Sequence, residues 1–134
     1  MFKHQDAAKI WAAGIVDGEG CIYAVKQGRV YIPMLRVCMS DYSTIQRLKR
    51  IFGLGSVYSY KPKKKNRKTM WNWAVATRQA RTVLEEMLPY LWTKRNQARL
   101  ATALQDYKDA RYEQNLGPSL EIQRSYYRAL RRAK

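Results

Sequence analysis

From Gln5 to Asp17 the apolar and small residues recur at helical spacing, with Ile10, Ala13, Gly14 and Asp17 close together on a turn-by-turn count and Asp6 placed to cap the start. The period then changes to two. CIYAVKQ and VYIPMLRVCM, joined at Gly28-Arg29, read as a β-hairpin with a bulge or edge at Pro33. Asp41 is placed to cap a helix through Ile51 that stripes Ile45, Leu48 and Phe52 and stops at Gly53. A second hairpin pairs GSVYSY with TMWNWAVA across the loop KPKKKNRK. Thr77 is a plausible cap for a helix carrying Val83, Leu84, Met87, Leu88 and Leu91. A polar helix over about Asn96 to Gln114 follows, and then another after Gly117-Pro118-Ser119 with Ile122, Tyr126, Tyr127 and Leu130 as its apolar positions.

The order α-β-β-α-β-β-α, extended by these last helices, predicts an α+β fold in which antiparallel hairpins are covered by helices on one side only. Alternation assigns the faces. Trp71, Trp73 and Val75 are read as core, which turns Asn72 outward, together with Ser56, Tyr58 and Tyr60 of the preceding strand. Ile22 and Ala24 point to the helices and send Tyr23, Val25, Gln27 and Arg29 to the open face, while Leu35 and Val37 point inward and leave Met34 and Arg36 outside.

With 134 residues the chain is expected to be a single domain, 1–134, with a core over about 5–105 and a helical extension over about 106–134. Its 46% hydrophobic and 12% aromatic content argues against disorder. No apolar run is long enough for a membrane span and the start MFKHQDAAKI lacks a signal-peptide core, so a cytoplasmic protein, or one of an organellar matrix or a phage-infected cell, is expected. Cys21, Cys38 and His4 show neither zinc-ligand spacing nor a disulfide framework.

Charge narrows the partner. The net charge is +16, and between Cys21 and Leu84 fourteen Lys and Arg face a single acid, Asp41. A face this positive calls for a polyanion, and nucleic acid fits better than an anionic membrane or a small-molecule substrate, because no cationic helix carries a broad apolar face. The loop supplies Lys61, Lys63, Lys64, Lys65, Arg67 and Lys68, which suit phosphate contacts that are steep in salt and blind to sequence.

The segment AAGIVDGEG, Ala12 to Gly20, carries the chemistry. Glycines inside a helix cost about 1 kcal/mol each relative to alanine, so Gly14 and Gly18 need compensation. Small residues four apart let two helices cross in backbone contact, within one chain or between two, and the second case makes Ala13, Gly14, Asp17 and Gly18 a dimer interface. Carboxylates at a helix carboxyl end oppose the dipole by roughly 0.3 to 1 kcal/mol, which makes a simply solvated Asp17 and Glu19 a poor explanation. Two crossing copies would bring two Glu19 carboxylates and unpaired backbone carbonyls together as hard oxygen ligands suited to Mg²⁺.

These nine residues resemble the signature of the LAGLIDADG homing endonucleases. The likeness continues through LRVCMSDYSTIQRLKRIFGLGSVY and LPYLWTKRNQARL and covers about the first 105 residues. It implies an αββαββα fold whose saddle-shaped sheet lies in the DNA major groove and, with one motif copy, a homodimer on a long pseudo-palindromic target. It further implies a double-strand break with short 3′ overhangs, made by Mg²⁺-dependent hydrolysis in which Mn²⁺ substitutes and Ca²⁺ supports binding without cleavage. By the same resemblance Glu19 and the Gly18 carbonyl are the metal ligands, and Lys94 is a catalytic basic residue acting on water or developing charge. Where the family often has Gln at the end of the second strand this chain has Met39, with Ser40 or Asp41 as substitutes. That departure leaves an alternative, a LAGLIDADG-type protein that binds DNA or RNA as an intron maturase or transcriptional regulator. A basic RNA-binding or ribosome-associated protein unrelated to the motif would leave the glycines unexplained.

Overall fold

The computed structural model describes residues 4–134, and the first three residues of the amino-terminal stretch read above lie outside it. The chain runs through α1 (His4–Glu19), β1 (Gly20–Gln27), β2 (Val30–Met39), α2 (Tyr42–Phe52), β3 (Ser56–Tyr60), β4 (Met70–Ala76), α3 (Thr77–Met87), a 3₁₀ turn (Leu88–Tyr90), α4 (Arg95–Glu113) and α5 (Leu120–Arg132). The four strands form one antiparallel sheet in the order β1-β2-β4-β3, so β2 and β4 are central. This is the expected α+β arrangement.

Local signals account for most boundaries. Asp41 accepts from the Ser43 N–H at 3.2 Å and from the hydroxyls of Ser43 and Thr44 at 2.9 and 2.6 Å, and Gly53 ends α2 at φ 66°, where a side chain would be strained. Gly55 is required for a different reason. A Cβ there would lie 2.7 Å from Trp73 Nε1 and 2.8 Å from the Ala74 carbonyl, and the same indole N–H donates to the Leu54 carbonyl at 2.9 Å. This close approach locks the α2–β3 turn onto β4.

The core lies between the sheet and the helices. Register pairs Leu35 with Val75 and Val37 with Trp73, and these four pack with Ile45, Leu48, Val83, Leu84 and Met87, all between 0 and 1% exposed. Leu104 of α4 and Leu130 of α5 belong to the same cluster. The division expected near residue 105 therefore falls inside α4, and the last helices complete the core rather than append to it.

Three expectations are corrected. Asp6 is not a cap, because α1 already includes His4 and places Asp6 in its first turn. Thr77 does not cap α3 either: it sits at φ 56° and its hydroxyl donates to the Ala76 carbonyl at 2.7 Å. In α5, Ile122 is 44% exposed while Gln123 is fully buried, because α5 packs on a hairpin turn whose backbone groups need a polar partner.

Candidate nucleic-acid interface and catalytic centre

With helices on one face, the alternate residues of every strand meet solvent on the other. Gln27, Arg36, Ser56, Tyr58 and Tyr60 are exposed there, Tyr23, Val25 and Met34 are half-buried, and Arg29 is exposed in the β1–β2 turn. Arg36 lies 5.9 Å over the Tyr23 ring. Burial pushes the Tyr23 hydroxyl above the ordinary tyrosine value, and the Arg36 guanidinium opposes that shift. Asn72 is on this face, as expected, but only 2% exposed. It pairs with Cys38 on one side and Tyr58 on the other, and neighbours on both sides of a central strand cover a short amide. The expectation that Asn72 reaches DNA is therefore corrected. Cys38 and Cys21, which register opposite Asn72 and Arg36, share the open face, and period-two alternation would have found them.

The six basic side chains of the Lys61–Lys68 loop are all exposed, and none forms an ion pair among the described residues. The loop shares an open surface cavity of about 670 Å³ with Ser40, Tyr60 and Met70. A dense, uncompensated positive charge thus borders the open face at its β3–β4 end.

The second feature is the carboxyl end of α1. A Cβ built on Gly14 or Gly18 finds no atom within 4 Å, so neither glycine serves packing inside this chain. Ala13 belongs to the opposite face, at 0% exposure in the protein's own core, and is not an interface residue. Asp17 is also committed internally. Its carboxylate accepts from the backbone N–H groups of Trp92 and Lys94 at 2.9 and 3.1 Å, tying α1 to the segment before α4. Gly20 carries the sharp passage from helix to strand, since a Cβ there would lie 2.7 Å from the Val16 carbonyl.

This tie brings Lys94 to the motif. Its Nζ donates to the Asp17 carbonyl at 2.8 Å, placing a cation on a helix carboxyl end where the dipole favours one. Glu19, the last residue of α1, is exposed two residues beyond that carbonyl. A groove of about 320 Å³ runs from Gly20 and Cys21 past Lys94 and Gln97 to Lys134, and no pattern in the sequence indicated that Lys134 lines it. Met39 packs against the core and faces away from the open sheet. Asp41 is held as a helix cap, and hydrogen bonds from Thr44 and Ser43 keep its carboxyl below the ordinary aspartate value. Of the two substitutes for the missing Gln, only Ser40 remains uncommitted.

No three His, Cys, Asp or Glu side chains gather as a metal site among the described residues. The donor set at the end of α1, one free carboxylate and last-turn carbonyls, is of the right hard-oxygen chemistry but amounts to half of a site. No helix is long and apolar enough to cross a membrane.

No protein-family model and no curated protein matches the chain. Solved structures do. The homing endonuclease I-CvuI, in complex with the I-CreI target in 2 mM Mg with the DNA not cleaved, is similar at 28% identity and TM-score 0.64 over 78% of this chain and 69% of that one. With its own target in 2 mM Ca, I-CvuI superimposes with TM-score 0.75 at 22% identity over 98% and 84% of the two chains. The archaeal intron-encoded homing endonuclease I-Vdi141I, complexed with DNA, follows at TM-score 0.71 and 14% identity over 98% and 86%. This protein has the LAGLIDADG homing-endonuclease fold. The likeness supports a DNA-binding endonuclease.

Proposed function

We propose that the protein is a homodimeric, Mg²⁺-dependent DNA endonuclease that makes a double-strand break with short 3′ overhangs in a long pseudo-palindromic target. The observation that carries this reading is the bare glycine stripe of α1, Gly14 and Gly18, ending at an exposed Glu19, with the Lys94 ammonium bonded to the Asp17 carbonyl of the same helix end. Glycines that nothing in their own chain touches are explained by a second helix, and a second helix completes the half-set of oxygen ligands.

Each chain has its own tasks. The open face, with Arg36, Tyr58 and Gln27, reads base edges in the major groove, and the Lys61–Lys68 loop neutralises phosphates. Glu19 and the Gly18 carbonyl would hold the metal, one Glu19 per strand cut. When bound, a divalent ion supplies Lewis acidity at the phosphate and makes water a better nucleophile near neutral pH. Lys94, held by Asp17, keeps a positive charge where negative charge develops on the phosphate.

Core-facing Met39 favours a second reading, a protein with the same saddle that binds without cutting. The test is cleavage of a randomised DNA library in Mg²⁺ by wild type and Glu19→Gln. The wild type should cut both strands at one recoverable site, and the variant should lose cleavage while binding that site in Ca²⁺ within about threefold of wild type. Binding by the wild type without any cleavage would establish the second reading. Cleavage by the variant at the wild-type rate would remove Glu19 from the site.

A further inference from the structure

Trp92 is 79% exposed, more than any other large apolar side chain among the described residues. Its backbone is nonetheless tied down. Its backbone N–H donates to the Asp17 carboxylate at 2.9 Å, and the Arg95 guanidinium sits 5.2 Å from its ring centroid. The residue is therefore anchored through its backbone at the carboxyl end of α1, on the helix side of the sheet, and its indole is left to solvent.

Its place relative to the glycine stripe follows from helix geometry. At about 100° per residue, Ala7, Gly14 and Gly18 fall on one line, Asp17 lies to one side of it and Trp11 to the other. Trp92 borders the stripe on the Asp17 side. On the Trp11 side stands α2, whose Arg47 guanidinium lies 4.2 Å from the Trp11 ring centroid. In the dimer proposed above, two Glu19 residues meet only if the two α1 helices lie side by side with their carboxyl ends together. The two-fold axis then runs along the helices, and it sets the Asp17 side of one chain against the Trp11 side of the other.

We infer that Trp92 is an anchor for a second copy of this chain, its indole covering the α2 flank of that copy's α1. This rests on the dimeric reading and extends it from the stripe to a named contact. Area and charge both favour this occupant. A stripe of Gly and Ala offers little apolar surface, whereas a stable dimer needs roughly 800 Å² per partner, and two chains of +16 each repel unless apolar contacts hold them. An exposed Trp whose backbone is fixed at the border of the stripe is the type of side chain that dominates such interfaces.

Sedimentation velocity of wild type, Trp92→Ala and Trp92→Phe without DNA tests it. Because the indole packs against little within its own chain, Trp92→Ala should melt with the wild type in the monomer, yet raise the dimer dissociation constant about thirtyfold, with Trp92→Phe between them. Trp92→Lys, a second and independent variant, should be monomeric where wild type is dimeric. Dimers as tight as wild type for both Trp92→Ala and Trp92→Lys overturn the inference and leave the dimeric reading standing. An unchanged dimer with weakened binding to a non-specific duplex overturns it too, assigning Trp92 to DNA. A wild type that stays monomeric at every concentration overturns the dimeric reading itself.

Discussion

Lys108 is a lysine of α4 that the fold buries to 4% exposure with no ion pair among the described residues. Burial holds its ammonium below the ordinary lysine value of 10.5; Arg78 adds to the shift and Asp109 opposes it. One turn earlier, the Oε1 of Gln105 is buried without a partner among the described residues, so this patch of α4 carries buried polarity that is only partly satisfied. A lysine whose folded-state pKa is depressed weakens the folded state while charged, and stability rises with pH between the folded and unfolded values. Lys108→Met should therefore raise the melting temperature at pH 7 by about 3 °C, corresponding to about 1 kcal/mol. The gain should shrink as pH is raised toward 10.5. Thermal melts of both proteins across that range check it, and a lower melting temperature for the variant at pH 7 would show that the lysine stabilises.

Among the elements, α5 is the one whose task sequence periodicity concealed. Gln123 accepts from the Tyr31 N–H at 2.7 Å and donates to the Arg29 carbonyl at 3.3 Å, so one fully buried amide clamps the turn end of the β1–β2 hairpin. The Tyr127 ring lies 5.1 Å from that of Tyr31 and supports the same contact. Gln123→Leu keeps the volume and orphans both backbone groups, which should cost about 2 kcal/mol. Hydrogen exchange should accelerate first at Tyr31 and the hairpin end that presents Gln27 and Arg29, leaving the β2–β4 centre slow. A uniform acceleration over the whole sheet would mean that α5 supports only global stability.

For the whole molecule the governing quantity is the charge of +16 and its segregation. The open face and the loop present cations that form no ion pair among the described residues, so the counterions released from DNA should dominate affinity. Replacing Lys63, Lys64 and Lys65 together with Gln should weaken binding to specific and random duplexes alike. It should also reduce the slope of log K against log salt by up to about 3, near 0.9 per phosphate contact. Binding isotherms from 50 to 300 mM KCl, roughly the range over which such slopes are resolved, measure it. An unchanged slope would make the loop a solvated charge run that does not reach the backbone.

Element order, the two faces of the sheet, the Asp41 and Gly53 limits of α2 and the basic loop were legible in the sequence, because period, capping and charge are properties of neighbours along the chain. The motif, likewise, marked Gly14, Gly18, Glu19 and, through a distant block, Lys94. Exposure at the site was decided by tertiary structure. Asn72 is covered because the order β1-β2-β4-β3 puts its strand in the centre, and Ala13 and Met39 turn inward because the core claims those faces of α1 and β2. Asp17 is taken by the segment before α4, and Gln123 is buried by a turn more than ninety residues away. Periodicity states which side of an element a residue occupies; which neighbour then covers it, or leaves it bare as at Gly14, Gly18 and Trp92, depends on contacts between elements remote in sequence, and only the assembled fold supplies those.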